Sequence, residues 1–329
     1  MKTKHILYLL LFCLPAWGCA DEDPIVPEGP GALLSTIPFP QGDDPWDTIF
    51  EEIYREYGVK ILYKDFTDKE WSRSWVASVS SSLTGGRFET PAELNAAAAF
   101  MKHYIFDFFD PDMLTGVFRP YIYLVKDMKF AGVPYTLLVG MDNWTFSPVA
   151  GTTDPADYTG YVYGPKLHVL TEILTRAFVN GRITLPAAFY EGVDYKTPIT
   201  SYRKASTDNE MSNISCRRGF LDDVTTEGLP FFPDYYSARA NPVISEMSSN
   251  PDKEFASFVH YILILRDRDR YFADGCRFEH SPLLKRRMDI VEEHLKRVHG
   301  VDLIAYQEMA YEGYTGSIWE TDRCTPRLP

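Results

Sequence analysis

Most of the helix-length stretches of this chain carry a start or a stop signal, and their placement restricts the fold more than any other feature. Trp46 to Tyr57 sets Ile49, Phe50, Ile53, Tyr54 and Tyr57 at helical spacing with acids and Arg55 opposite, and Gly58 stops it. Thr90-Pro91-Ala92-Glu93 opens a second helix, Thr as N-cap and Pro at the first helical position, which runs to about Phe109 before Asp110-Pro111 breaks it. Further helix patterns span Gly164-Pro165 to Asn180-Gly181, Asp252 to Leu265, and Pro282 to His299 ahead of Gly300. The runs rich in aromatic and β-branched residues, Val59 to Tyr63, Pro120 to Lys126 and Tyr135 to Val139, read as strands. The turn-prone Ala131-Gly132-Val133-Pro134 separates the last two. All strand signals precede the third helix, so the chain reads as α+β, a small sheet followed by a helical C-terminal part.

The N-terminus is not part of that body. Lys2 and Lys4 precede an apolar run from Ile6 to Leu14, and Gly18 stands before Cys19, the layout of a signal peptide over residues 1–18 that is too short to span a bilayer. Leu14-Pro15-Ala16-Trp17-Gly18-Cys19 resembles the bacterial lipoprotein signal, which implies acylation at Cys19. It departs from that signal at Ala16, where Leu is usual; an ordinary cleaved signal with an incidental cysteine is the other reading. The acids of Ala20-Asp21-Glu22-Asp23 resemble the tag that sends Bacteroidetes lipoproteins to the outer face of the outer membrane. Proline, glycine and acids keep the next stretch from burying a core, so residues 19–45 read as a lipid-anchored flexible tether and 46–329 as the folded domain.

With 45% apolar and 15% aromatic residues the body can build a real core. The formal charge is −13, and about −15 once the two signal lysines are lost. That argues against nucleic acid and leaves neutral carbohydrate, peptides or cations as partners. Cys216, Cys276 and Cys324 are spaced too widely for a zinc cluster; in an oxidising compartment any one pair could bridge, and the sequence does not select it.

The third helix carries Thr171-Glu172-Ile173-Leu174-Thr175. In His-Glu-x-x-His two imidazoles one turn apart hold Zn²⁺ while the Glu polarises its water. Here the Glu is kept and threonines stand at both histidine positions. His168, Glu172 and Thr175 share one face with Thr171 beside them, and the plain alternative is the polar edge of a packed helix.

Four stretches together resemble the candidate zinc-binding metallopeptidase lipoproteins encoded beside starch-utilisation-type transporters in Bacteroidetes. They are Trp46 to Phe50 through Gly58 to Tyr63, Val169 to Thr175, Pro251 to Ser257, and Leu284 to Leu303 ending in Gly300-Val301-Asp302-Leu303. The resemblance implies a zincin-like α+β fold with a small mixed sheet, a central active-site-type helix, and Glu172 as a vestigial general base. It also implies degenerate metal positions at Thr171, Thr175 and Glu254, with Ser257 where a further acid is frequent. A threonine hydroxyl stays protonated and uncharged, so it replaces imidazole poorly as a ligand. The reading is therefore an inactive domain without cofactor, an accessory or binding subunit of a nutrient-uptake complex in the outer membrane, with a glycan or peptide ligand. An active zinc peptidase with an unconventional ligand set, including a shifted set of His168, His260, Glu172 and Glu254, is the alternative.

A carbohydrate-binding lipoprotein is the third reading. Trp71, Trp75, Trp144 and Trp319 could stack on sugar rings, although large aromatics mostly fill cores. Phe231, Phe232, Tyr235 and Tyr236 lie in a proline-broken, loop-like segment and form the candidate binding surface.

Overall fold

The first helix, α1 (Pro45–Tyr57), starts where Asp44 N–H donates to the Asp47 carboxylate at 3.2 Å and ends at Gly58, whose φ of 70° is the left-handed conformation glycine adopts freely. Asp47 is itself buried, and it is satisfied by the Tyr63 hydroxyl, which donates to both of its oxygens at 3.1 Å. The computed structural model describes residues 37–72, 83–130, 132–134, 137–140, 143–148, 165–196, 214–221, 251–266, 268–273 and 278–312. The chain divides into residues 1–38 and 39–329, and the fold described is that of the second unit. Cys19 and the signal segment lie outside the described residues.

Ordered contacts extend ahead of Trp46. Gln41 is buried, accepts from the Tyr63 amide at 2.7 Å and donates to the Lys64 carbonyl, so the segment before α1 is hydrogen-bonded to the strand end it crosses. After α1 come β1 (Lys60–Leu62), the one-turn α2 (Asp68–Trp71), β2 (Leu83–Gly86) and α3 (Pro91–Tyr104). Then follow a 3₁₀ turn (Phe106–Phe108), α4 (Pro111–Leu114), β3 (Tyr121–Leu124), β4 (Lys126–Phe130), β5 (Val133–Pro134), β6 (Leu137–Val139) and β7 (Asn143–Phe146). The second helix thus stops five residues before Phe109. The Tyr57 hydroxyl donates to the Phe106 carbonyl at 2.6 Å and to that of Phe109 at 3.3 Å, drawing this segment into a tighter turn. Burial, with Glu56, Asp107 and Asp110 nearby, pushes that phenol up to about 12.

The strands form two sheets rather than one. A mixed sheet runs β1-β3-β7-β6, with β1, β3 and β7 parallel and β6 antiparallel to β7; a second, antiparallel sheet runs β2-β4-β5. Ile122 sits opposite Trp144 at the centre of the first sheet, and every residue of β7 is buried. Thr145 Oγ1 donates to the Trp71 carbonyl at 2.8 Å and Asn143 Nδ2 to Thr145 Oγ1 at 3.0 Å, holding α2 against the sheet. Where β2 crosses to β4, a Cβ on Gly85 would stand 2.3 Å from Val125 Cγ1, so the close approach needs glycine.

The described remainder is helical: α5 (Pro165–Val179), a 3₁₀ turn (Ala187–Phe189), α6 (Ile214–Arg217), α7 (Pro251–Ile264), α8 (Arg268–Tyr271), α9 (Pro282–His299) and α10 (Leu303–Ala310). Every residue of α7 from Glu254 to Ile264 is buried, the mark of a helix enclosed on all sides. It packs along α5, whose Leu167, Leu170, Ile173, Leu174 and Ala177 are buried with it. Gln307 of α10 donates to the Ile262 and Leu263 carbonyls at 2.9 and 2.8 Å, satisfying acceptors in the last turn of α7.

The charge run from Arg266 to Arg270 does more than face solvent. Arg268 donates to Asp289 and Glu292 at 2.7 Å each and Asp269 pairs with Lys285, so α8 is clamped to α9; ahead of α8, Arg266 lies over the Tyr311 ring.

Candidate functional site

The face that the sequence singles out lies on α5 where it packs along α7. Thr171 Oγ1 donates to the Leu167 carbonyl at 2.9 Å, and Thr175 Oγ1 to the Thr171 carbonyl at 2.7 Å. Both side chains are buried, and both hydroxyl protons are used on backbone acceptors one turn back in the same helix. Neither threonine presents a charged or unprotonated donor.

Glu172, only 3% exposed, accepts from Arg176 Nε at 2.7 Å, one turn further along α5. Burial raises its pKa above the ordinary carboxylate value; the Asp252 carboxylate adds to the rise, and Arg176 opposes it through its charge and hydrogen bond. The carboxylate is thus engaged within its own helix.

Glu254, near the start of α7, belongs to a different network. Its Oε1 accepts from Arg287 Nη2 at 2.8 Å and its Oε2 from the Tyr195 hydroxyl at 2.9 Å. Arg287, fully buried on α9, also donates from Nε to the Phe189 carbonyl at 3.0 Å, from Nη1 to the Gly219 carbonyl, and from Nη2 to the Tyr195 oxygen at 3.0 Å. Its guanidinium lies 3.9 Å from the Phe189 ring centre and 4.7 Å from that of Phe258. Gly219 has φ +87°, and a Cβ there would come within 2.9 Å of Leu283 Cγ and 3.4 Å of Arg287 Cδ. Tyr195 is pushed well above the ordinary phenol value, chiefly by burial.

Reading motifs alone misses Arg287 and Tyr195. A signal for the first was present: Leu284, Met288, Val291 and Leu295 form the buried stripe of α9, and Arg287 falls on it. A cation on an apolar stripe requires a buried anion. Tyr195, in an irregular segment, carries no comparable mark.

These residues do not fit zinc. The metal takes deprotonated or neutral donors with accessible lone pairs, whereas here two positions hold protonated hydroxyls turned to the backbone and the third is bound to a guanidinium. Among the described residues no three His, Cys, Asp or Glu side chains gather in a way that could hold a metal ion. His260 is enclosed in α7 beside the Tyr261 ring, while the side chain of His168 lies outside the described set.

Trp71 and Trp144 are buried in the core, which removes them as sugar-stacking faces. Trp75, Trp319 and the candidate surface Phe231, Phe232, Tyr235 and Tyr236 lie outside the described residues, as do Cys276 and Cys324; Cys216 is buried on α6.

No family model matches the chain, and no curated protein matches it. Among solved structures it is similar to a candidate zinc-binding metallo-peptidase from Bacteroides caccae ATCC 43185, at 13% identity and a TM-score of 0.48. The likeness covers 82% of this chain and 93% of that one.

Two outcomes follow from the site. Replacing either partner of the enclosed pair, as in Glu254→Gln or Arg287→Met, leaves a buried group unpaired and should cost about 3–5 kcal/mol in urea unfolding, while Glu254→Leu with Arg287→Met should cost less than the sum of the single losses. The second outcome concerns pH. Because the folded pKa of Glu172 lies above its ordinary value of 4.5, its contribution is fully present below that value and is lost as pH rises through the folded one. Glu172→Gln should therefore be at least as stable as the parent at neutral pH, with the difference shrinking as the solution is acidified. A variant clearly less stable at neutral pH would show that the Arg176 contact outweighs burial.

Proposed function

We propose that this domain has a metallopeptidase-like fold without hydrolytic activity and acts as an accessory or binding subunit of a nutrient-uptake system. In this reading it is held at the outer membrane by lipid on Cys19, faces the cell exterior, and meets a glycan or peptide ligand together with a transporter. One observation carries the loss of hydrolysis: both acidic residues of the inherited motif are neutralised by arginines, Glu172 by Arg176 and Glu254 by Arg287. A general base must reach a water or substrate proton, and a metal-ligating carboxylate needs an available oxygen. Satisfying these carboxylates within the protein supports a scaffold role over a catalytic one.

The peptidase alternative is tested with a mixed fluorogenic peptide set and casein, with and without added zinc. No turnover above that of Glu172→Gln is expected; zinc-stimulated cleavage that disappears in Glu172→Gln would overturn the proposal. Anchoring is tested separately by feeding labelled palmitate to cells that express the full chain. Label should enter the parent and be absent from Cys19→Ala, and an unlabelled parent would remove the membrane part of the reading.

A further inference from the structure

Near the C-terminal end of α9 two histidines carry ring nitrogens that no described residue satisfies. His294 and His299 are both half-buried, and Nε2 of each is enclosed with no hydrogen-bond partner among the described residues. Native proteins leave few buried polar atoms unpaired. Here the two rings that carry them adjoin: the ring centres are 5.3 Å apart, with the planes at 69°.

That spacing suits an edge-to-face ring pair. It equally suits two imidazoles bound through Nε2 to one tetrahedral ion at about 2.0–2.1 Å, which sets their centres about 5 Å apart. The partnerless Nε2 atoms favour the second case, since an ion bound there would supply the contact that the described residues do not. His299 is hydrogen-bonded to the Thr184 backbone. With Nε2 unpaired, that bond belongs to Nδ1, so the other nitrogen carries the lone pair, the second contact that orients histidine ligands in metal sites.

We propose that His294 and His299 form a two-imidazole site for a late first-row divalent cation of the zinc class, bound through their Nε2 atoms. Imidazole suits such ions, which bind the neutral ring through its lone pair. The nearby Asp302 is paired with Lys296 at 2.6 Å, so water fills the remaining positions and the ion exchanges readily. Bound metal would tie two successive turns at the C-terminal end of α9. The site contains neither Glu172 nor Glu254 and is independent of the proposed loss of hydrolysis.

Calorimetric titration of zinc chloride into protein stripped with chelator and desalted tests the assignment. One equivalent should bind, His294→Gln and His299→Gln should each weaken binding by at least about tenfold, and Glu172→Gln should leave it unchanged. In the parent protein, zinc should move the Nε2 resonances of these two histidines alone, a readout that needs no substitution. An absence of binding, unaltered affinity in the double variant, loss of affinity in Glu172→Gln, or movement of other histidine rings instead would each overturn the site.

Discussion

A guanidinium with no exposed surface sets the terms for the helical half of this protein. Arg287 cannot shed its charge, so its enclosure requires an anion and acceptors around the whole fork. Glu254 supplies the anion, Tyr195 a hydroxyl, and the Phe189 and Gly219 carbonyls the remaining acceptors, with aromatic rings over its face. Four separate segments, α7, α9, the Phe189 turn and the residues following α6, thereby meet at one cation. Gly219 must remain glycine because the chain passes too close to Leu283 and Arg287 for a side chain. Such pairs do not guarantee net stability, since desolvation offsets much of their attraction, but breaking one leaves an uncompensated charge.

Pairing of the same kind limits what the polar residues of α5 and α7 can do. Metal hydrolysis needs ionised or neutral donors with lone pairs directed at one point, and a base that can take a proton from water. On α5 the threonines turn their hydroxyls to backbone carbonyls and Glu172 turns to Arg176; on α7 Glu254 turns to Arg287. Each polar group is satisfied, but by a different partner, and no common point is left between them. This is the pattern of a packed helix pair whose polar residues hold the interface together.

Much of the architecture could be read before any coordinates, and the exceptions have specific causes. The helix from Pro282 to His299 agrees end to end, because its proline start, glycine stop and apolar stripe all act locally. The strand β4 went unseen because Lys126-Asp127-Met128-Lys129-Phe130 alternates with charges and is stabilised by pairing to β2 and β5. Asn143 and Thr145 of β7 are polar, and it is the Trp71 carbonyl, 74 positions away, that accepts from Thr145 inside the core. At Phe106 a hydroxyl from α1 tightened the turn, a contact across 49 positions that no window of sequence contains.

By itself, the sequence determined the α+β character, the punctuation of the long helices, and the two threonines that stand on either side of Glu172 in its helix. These follow from periodicity, capping and side-chain chemistry, which act over a few residues. Only the tertiary structure decided where the charges go: Glu172 to Arg176, Glu254 to Arg287, and Arg268 to Asp289 and Glu292. Desolvation is the physical reason, because an ionised group has a strong requirement for a partner only once it is buried, and packing determines both its burial and the partner within reach.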